Sequence, residues 1–259
     1  MKTLLLSAQI LLLALGAHGE NVFLHNASDL VSFSSDVNSE KDYTGTTVLL
    51  DADIDFSGYS DVFVPIGKYS NDNSLAFKGV FDGQGHKISN LEMNSSSLDN
   101  VGFFGYSYGA SIKNIIFDSS CSFTSTASGG DVATLGPISL FKGGDESYTI
   151  ENIVNMAKIT FTGQSTNFII AGGIIGKLTS LSIVKSCANY GNITVSEGFI
   201  NNIYIGGIAG EIIGEKEMNI SILHCINYGF ITNEKRETRR SFWVESLGKL
   251  NSSFQSRVV

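Results

Sequence analysis

Over most of the chain, apolar and β-branched residues fall in short runs bounded by Gly, Asn or Ser, as at 183–187, 193–195 and 203–208. Runs of that length with those borders predict strands. An exception lies between Asn26 and Asn38, where Leu30, Val31, Phe33 and Val37 recur at spacings of three and four. That stripe predicts a short amphipathic helix, N-capped by Asn26 or Ser28. A strand over 47–56 follows, and regular coils open in the block 77–91.

The strand pattern repeats. Gly172 Gly173 Ile174 Ile175 Gly176 returns 34 positions later as Gly206 Gly207 Ile208 Ala209 Gly210, and Cys187 Ala188 Asn189 Tyr190 Gly191 returns 38 later as Cys225 Ile226 Asn227 Tyr228 Gly229. Degenerate copies place Ile115, Ile153, Cys187 and Cys225 at steps of 38, 34 and 38, and Gly102, Gly136, Gly173 and Gly207 at 34, 37 and 34. Two agreeing ladders of this period predict a stacked solenoid with three strands per coil. The glycines Gly102, Gly105, Gly173, Gly176, Gly207 and Gly210 are read as corners, needing either positive φ or close approach between coils. The Asn-Tyr-Gly triplets are read as another corner. The helix would then cover the open N-terminal end of the solenoid.

The order Leu50 Asp51 Ala52 Asp53 Ile54 Asp55, Val64 Pro65 Ile66 Gly67, the 77–91 block and Val101 Gly102 Phe103 Phe104 Gly105 resembles the entry region of GLUG-motif proteins. The later Gly-Gly-Ile-x-Gly and Asn-Tyr-Gly-x-Ile blocks are similar to the repeat itself. The resemblance spans about 22–232. It implies an all-β fold, a right-handed single-stranded parallel β-helix, of the kind found on surface proteins, adhesins and the non-catalytic part of immunoglobulin A peptidases. The copy Gly136 Pro137 Ile138 Ser139 departs from the pattern, and an irregular coil is expected there.

Composition agrees with a tightly turned β chain: 28 Gly against 2 Pro, and 16% charged residues. The net charge of −8 offers no basic stripe for nucleic acid. The exception, Lys235 and Arg236 with Arg239 and Arg240, is interleaved with Glu234 and Glu237 and reads as a solvated face or tail. Residues 1–19 carry Lys2, an apolar run from Leu4 to Leu15 and Ala17 and Gly19 at the end, which predicts a signal peptide cleaved between Gly19 and Glu20. A retained anchor is the other reading of that stretch. No later run is apolar for the roughly 18 residues a transmembrane helix needs. The organisation expected is 1–19 signal peptide, 20–60 cap helix and entry strand, 61–233 β-helix repeats, and 234–259 an irregular tail. Phe242, Trp243, Leu247 and Leu250 could line an amphipathic cap, and the other reading is a truncated or frame-altered end of a longer repeat protein.

Export makes the sequons at Asn26, Asn94, Asn192, Asn219 and Asn251 readable as N-glycosylation candidates. The three cysteines are an odd number for an oxidising compartment. Cys187 and Cys225 share one repeat position about 4.8 Å apart, so a disulfide is one reading. The slot also takes Ile115 and Ile153, which makes buried thiols packed as small hydrophobes the other.

Catalytic constellations are weak. Asp51, Asp53 and Asp55 alternate, which on one strand puts successive carboxylates roughly 6.6 Å apart on one face, a spacing open to an inverting glycosidase pair or to calcium. His86 lies four after Asp82 in a Gly-rich turn, and His25 and His224 stand apart from any ligand spacing. Gly176 Lys177 fails as a phosphate loop, because Ala171 and Leu178 occupy positions the motif reserves for Gly and Ser or Thr. No catalytic, cofactor or metal residues are assigned. The chain reads as a secreted or surface-exposed, non-enzymatic, adhesin-like scaffold for an extracellular glycan or host cell-surface protein. The alternative is a carbohydrate-active β-helix hydrolase or lyase.

Overall fold

The computed structural model describes residues 19–60, 62–96, 100–128, 132–144, 148–163, 168–196, 202–214 and 220–233. Its strands form four parallel sheets. The principal sheet runs through Asn21–Leu24, Thr47–Leu50, Val80–Asp82, Ser111–Phe117, Tyr148–Asn155, Ser182–Lys185 and Ile220–Leu223. A second holds Glu92–Ser95, Ser122–Ser125, Lys158–Phe161, Ile193–Val195 and Ile231–Asn233. The third holds Asn100–Val101, Val132–Leu135, Phe168–Gly172 and Asn202–Gly206, and the fourth Phe104–Tyr108, Ile138–Lys142, Ile175–Thr179 and Ala209–Ile213. This is a parallel β-helix whose coils visit four sheets, not the three strands expected. The parallel stack also starts earlier than the 61–233 repeats, since Asn21–Leu24 pairs with Thr47–Leu50.

The unexpected side is the strand that follows each glycine corner, Phe104–Tyr108, Ile138–Lys142, Ile175–Thr179 and Ala209–Ile213, and the principal sheet itself also carries a bend. Asn114, Asn152, Ser186 and His224 sit at equivalent positions with φ of 57°, 53°, 54° and 53°. One left-handed residue breaks the period-2 alternation, so that residues two before and one after it both face inward. Ile112 with Ile115, Ile150 with Ile153, and Val184 with Cys187 are accordingly buried pairs. His224 is exposed on the outer side of this bend. The expected strand over 47–56 is likewise two pieces, Thr47–Leu50 and Ile54–Asp55.

The helix, α1, spans Ala27–Val37. Asn26 is its cap, extended at φ −158°, with its side chain accepting the Asp29 N–H at 3.0 Å. Leu30, Phe33 and Val37 are buried, whereas Val31 is half-buried. Phe33 meets Tyr43, Phe77 and Phe81 at centroid distances of 5.0, 5.7 and 6.0 Å, so α1 closes the first coils with aromatic packing. The same ring cluster continues inward through Phe103, Phe117 and Phe123.

The glycine corners work by close approach. A Cβ on Gly102 would meet the Gly136 carbonyl oxygen at 2.2 Å, and one on Gly173 would meet that of Gly207 at 2.1 Å. Gly105, Gly176 and Gly210 face Gly67, Ser139 and Ala171 carbonyl oxygens at 2.5, 2.6 and 2.6 Å. None of these six has positive φ. Strand register sharpens the alignment: Leu135 pairs with Val101 and Ala171, while Ile138 pairs with Phe104 and Ile175. The later corners therefore hold one extra residue, which is why their glycine is doubled. The irregular coil expected at Pro137 is in register on both sides, with the Pro137 carbonyl accepting Phe104 N–H at 3.0 Å and Ile138 N–H donating to Ile174. Pro137 cannot make the inter-coil bond that Gly173 and Ile174 N–H make in the later corner, but the flanking strands stay paired, and Gly136 takes φ 155°.

The two blocks read as separate corners meet inside. A Cβ on Gly173 would lie 2.4 Å from the Asn189 side-chain carbon, and one on Gly207 2.4 Å from that of Asn227. Asn155, Asn189 and Asn227 form an internal ladder, with amide bonds of 2.8 Å and 2.7 Å between neighbours. Asn189 also donates to Gly191 O and accepts from Gly191 N, so both its donors and both its acceptor sites are used. Phe117 holds the equivalent slot one coil earlier, where the aromatic cluster ends the ladder.

Asn189→Ala strands buried partners on both sides, and the expected loss is about 2–4 kcal/mol of unfolding free energy. Urea denaturation of the variant against the parent checks this.

Candidate functional site

Each sequence-proposed acid is engaged by the coil corners. Asp51 lies 3.0 Å from His25. Asp53 accepts the Lys87 N–H at 2.9 Å and faces His86 Nδ1 at 3.1 Å. Asp55 accepts from Asn90 at 2.7 Å and from both Ser57 N–H and Ser57 Oγ at 2.8 Å. The break after Leu50 gives the three carboxylates different partners, although all three stay exposed, with half-buried Ala52 and buried Ile54 between them. His86 belongs with Asp53, not with Asp82.

Asp82 takes Asn114 Nδ2 at 2.8 Å, Gln84 N–H at 2.9 Å and Lys113 Nζ at 3.3 Å. Burial works to raise its pKa, but these hydrogen bonds and the ammonium together hold it below the usual carboxylate range. Asp53 is lowered chiefly by the Lys87 N–H, Asp55 by Asn90 and Asp118 by Ser120. These acids are ionised at neutral pH and suit structural acceptance better than proton donation. Lys177, beside the glycine block, pairs with Glu211 on the next coil at 3.0 Å.

The outer surface carries aromatic ladders. Tyr190 and Tyr228 stack at 4.9 Å with planes 15° apart, and Phe168 and Tyr204 stack at 6.3 Å and 8°. Tyr190, Tyr228 and Phe230 are 51%, 55% and 64% exposed. The corner that places them is rigid: the Asn155 carbonyl accepts Tyr190 N–H at 2.7 Å and Gly191 N–H at 3.2 Å, and Asn189 repeats this for Tyr228 and Gly229. Sequence reasoning saw the triplet as turn chemistry and missed the ring stack, although Tyr at equal repeat positions was its signal.

A cleft of about 580 Å³ lies between the 56–68 loop and the second sheet, lined by Phe56, Tyr59, Val62, Lys68, Met93 and Asn94 among others. Of the sequons, Asn26 serves as the helix cap, Asn94 is exposed on the cleft wall, and Asn192 is exposed with its Oδ1 accepting Phe230 N–H at 3.0 Å. Asn219 and Asn251 lie outside the described residues, as do the leader at 1–18 and the tail at 234–259 with its basic cluster and proposed cap. Gly19 and Glu20, flanking the expected cleavage, are exposed. Among the described residues no helix is long and apolar enough to cross a membrane, and no group of three or more His, Cys, Asp or Glu could hold a metal ion.

Taken together, these features define a parallel β-helix repeat protein with acids at its corners and aromatic rings along one outer edge. No family model matches the chain. A stretch of 129 residues, 49% of the chain, is 33% identical to halomucin of Haloquadratum walsbyi and spans 1% of that protein's length. Its fold matches a solved protein of Bacteroides ovatus described as a candidate immunoglobulin A1 protease, with TM-score 0.50 over 82% of this chain and 67% of that one. At 19% identity that likeness speaks for the fold alone.

The Asp82 pKa is lower folded than unfolded, so its stabilisation is complete above about pH 4 and is lost as pH falls through the lower folded value. Acid titration of stability is expected to show a shallower decline for Asp82→Asn, which is also less stable than the parent at neutral pH.

Proposed function

We propose that this protein is an exported, non-enzymatic β-helical scaffold, displayed outside the cell, that binds glycans or cell-surface proteins along its aromatic edge. The supporting observation is the half-exposed Tyr190–Tyr228 stack, held by backbone hydrogen bonds to the core asparagine coil, with Phe230 also exposed two residues after Tyr228. Rings with polar tips offer both an apolar surface and a hydrogen-bonding handle, the combination a sugar with C–H faces and hydroxyls requires. Their positions are set by the coils, so little side-chain entropy is lost on binding. A leader-like N-terminal segment and the similarity of the blocks to GLUG-motif repeats favour export and display.

Binding screens of the purified protein on glycan and surface-protein arrays test the proposal. Tyr190→Ala combined with Tyr228→Ala is expected to weaken binding at least about tenfold, roughly 1.4 kcal/mol, without lowering the unfolding midpoint. No reducing ends should be released from polysaccharide substrates. Depolymerisation lost in Asp53→Asn would instead identify an enzyme, and binding indifferent to the double variant would move the contact surface elsewhere.

A further inference from the structure

We propose that Cys187 and Cys225 are a redox-active pair that oxidises to a disulfide joining two successive coils. Both residues are reduced here, Cys187 buried and Cys225 half-buried. Their register is fixed from both sides: Lys185 pairs with Leu223, Ala188 pairs with Ile226, and Ile226 N–H donates to the Cys187 carbonyl at 2.9 Å. Adjacent parallel strands stand about 4.8 Å apart, within the range of Cα separations that disulfides span.

The side chains are aimed alike. Ser186 and His224, both left-handed, rotate the following cysteine inward by the same backbone turn. Each thiol leans on the carbonyl two residues before it, Cys187 on Lys185 at 3.3 Å and Cys225 on Leu223 at 3.4 Å. These are weak contacts, readily exchanged for a sulfur–sulfur bond. The neighbouring sulfurs push the Cys187 pKa up and the Cys225 pKa down, and Cys225 is also the less buried of the two. Ile115 and Ile153 hold the same slot in earlier coils, so the link is available only between the two coils that carry sulfur. Cys121 stands on another corner, buried, donating to Ile88 O at 3.3 Å and with its thiol pushed by burial up to about 11.

The pair thus has an outer attacking thiol and an inner resolving one. The Cys225 thiolate attacks a small disulfide such as oxidised glutathione, forming a mixed disulfide and expelling one glutathione thiolate. Cys187 loses its proton and attacks the Cys225 sulfur, expelling the second. Two electrons pass to the glutathione, and the two thiol protons leave to solvent or to the released thiolates.

The full chain, reduced and then equilibrated across glutathione ratios before acid quench, is read by intact mass and by alkylation after unfolding. The expected result is loss of two hydrogens, one remaining alkylatable thiol at Cys121, and a linked peptide containing Cys187 and Cys225. The oxidised form should unfold about 5–10 °C above the reduced form, since the link closes a loop across a whole coil. Cys187→Ser should stop at the mixed disulfide on Cys225, while Cys225→Ser should form neither product. Three alkylatable thiols at every ratio, or a link through Cys121, overturns the proposal. The wild-type measurement decides this even where a serine variant fails to fold.

Discussion

The constraint on which this fold depends is the spacing of about 4.8 Å between in-register parallel coils. Every residue lies against the equivalent residues of the coils above and below, so each slot must suit its neighbours in the stack. Apolar slots meet this by stacking Ile on Ile, or Ile on Cys, as in Ile115, Ile153 and Cys187. Corner slots meet it by having no side chain, because at Gly102 and Gly173 the next coil's carbonyl already fills the place a Cβ would take. A polar slot meets it only if the group bonds to its own kind, and a carboxamide, donor at one atom and acceptor at the other, is the side chain that does so indefinitely.

The buried asparagines follow from that requirement. An unsatisfied amide in this core would carry the full cost of desolvation, but Asn189 is satisfied by Asn155, Asn227 and Gly191 together. The doubled glycine makes room for it, since Gly173 and Gly207 leave open the volume that the Asn189 and Asn227 side chains occupy. In the early coils, where Phe117 fills the slot, the corner is shorter by one residue and holds a single glycine. The short corner persists for one more coil, at Gly136 Pro137, where Asn155 already fills the slot, so the slot turns polar one coil before the corner lengthens.

What could be read from sequence was whatever repeats as residue identity: the glycine and Asn-Tyr-Gly ladders, the Ile and Cys slot, and α1 with its period of three and four. What escaped was set by backbone conformation. The left-handed bend is occupied by Asn, Asn, Ser and His in turn, and no shared side chain announces it. Without that bend the principal strand appears unbroken, and the glycine corner, read as the end of the third strand, hid the fourth side that follows it. Asn21–Leu24 escaped because its pairing with Thr47–Leu50 spans the whole of α1. At the acids, alternation showed a shared exposed side but not the partners, which lie on neighbouring segments: His25 for Asp51, His86 and Lys87 for Asp53, and Asn90 besides the local Ser57 for Asp55.

The Asn-Tyr-Gly triplet joins core to surface within three residues. Its Asn points inward to the amide ladder, its Gly lies against the preceding coil, as Gly191 does against the Ala157 carbonyl at 1.9 Å from a would-be Cβ, and its Tyr is left outside. Because the Asn carbonyl of one coil accepts the Tyr and Gly N–H groups of the next, the outer ring cannot shift without disturbing the inner amide. The aromatic edge therefore inherits the period of the core, and a ligand lying along it would meet rings at intervals fixed by the coil spacing, not by loop conformation. A change at the buried Asn should then be felt at the exposed Tyr, whereas removing the Tyr leaves the amide ladder intact.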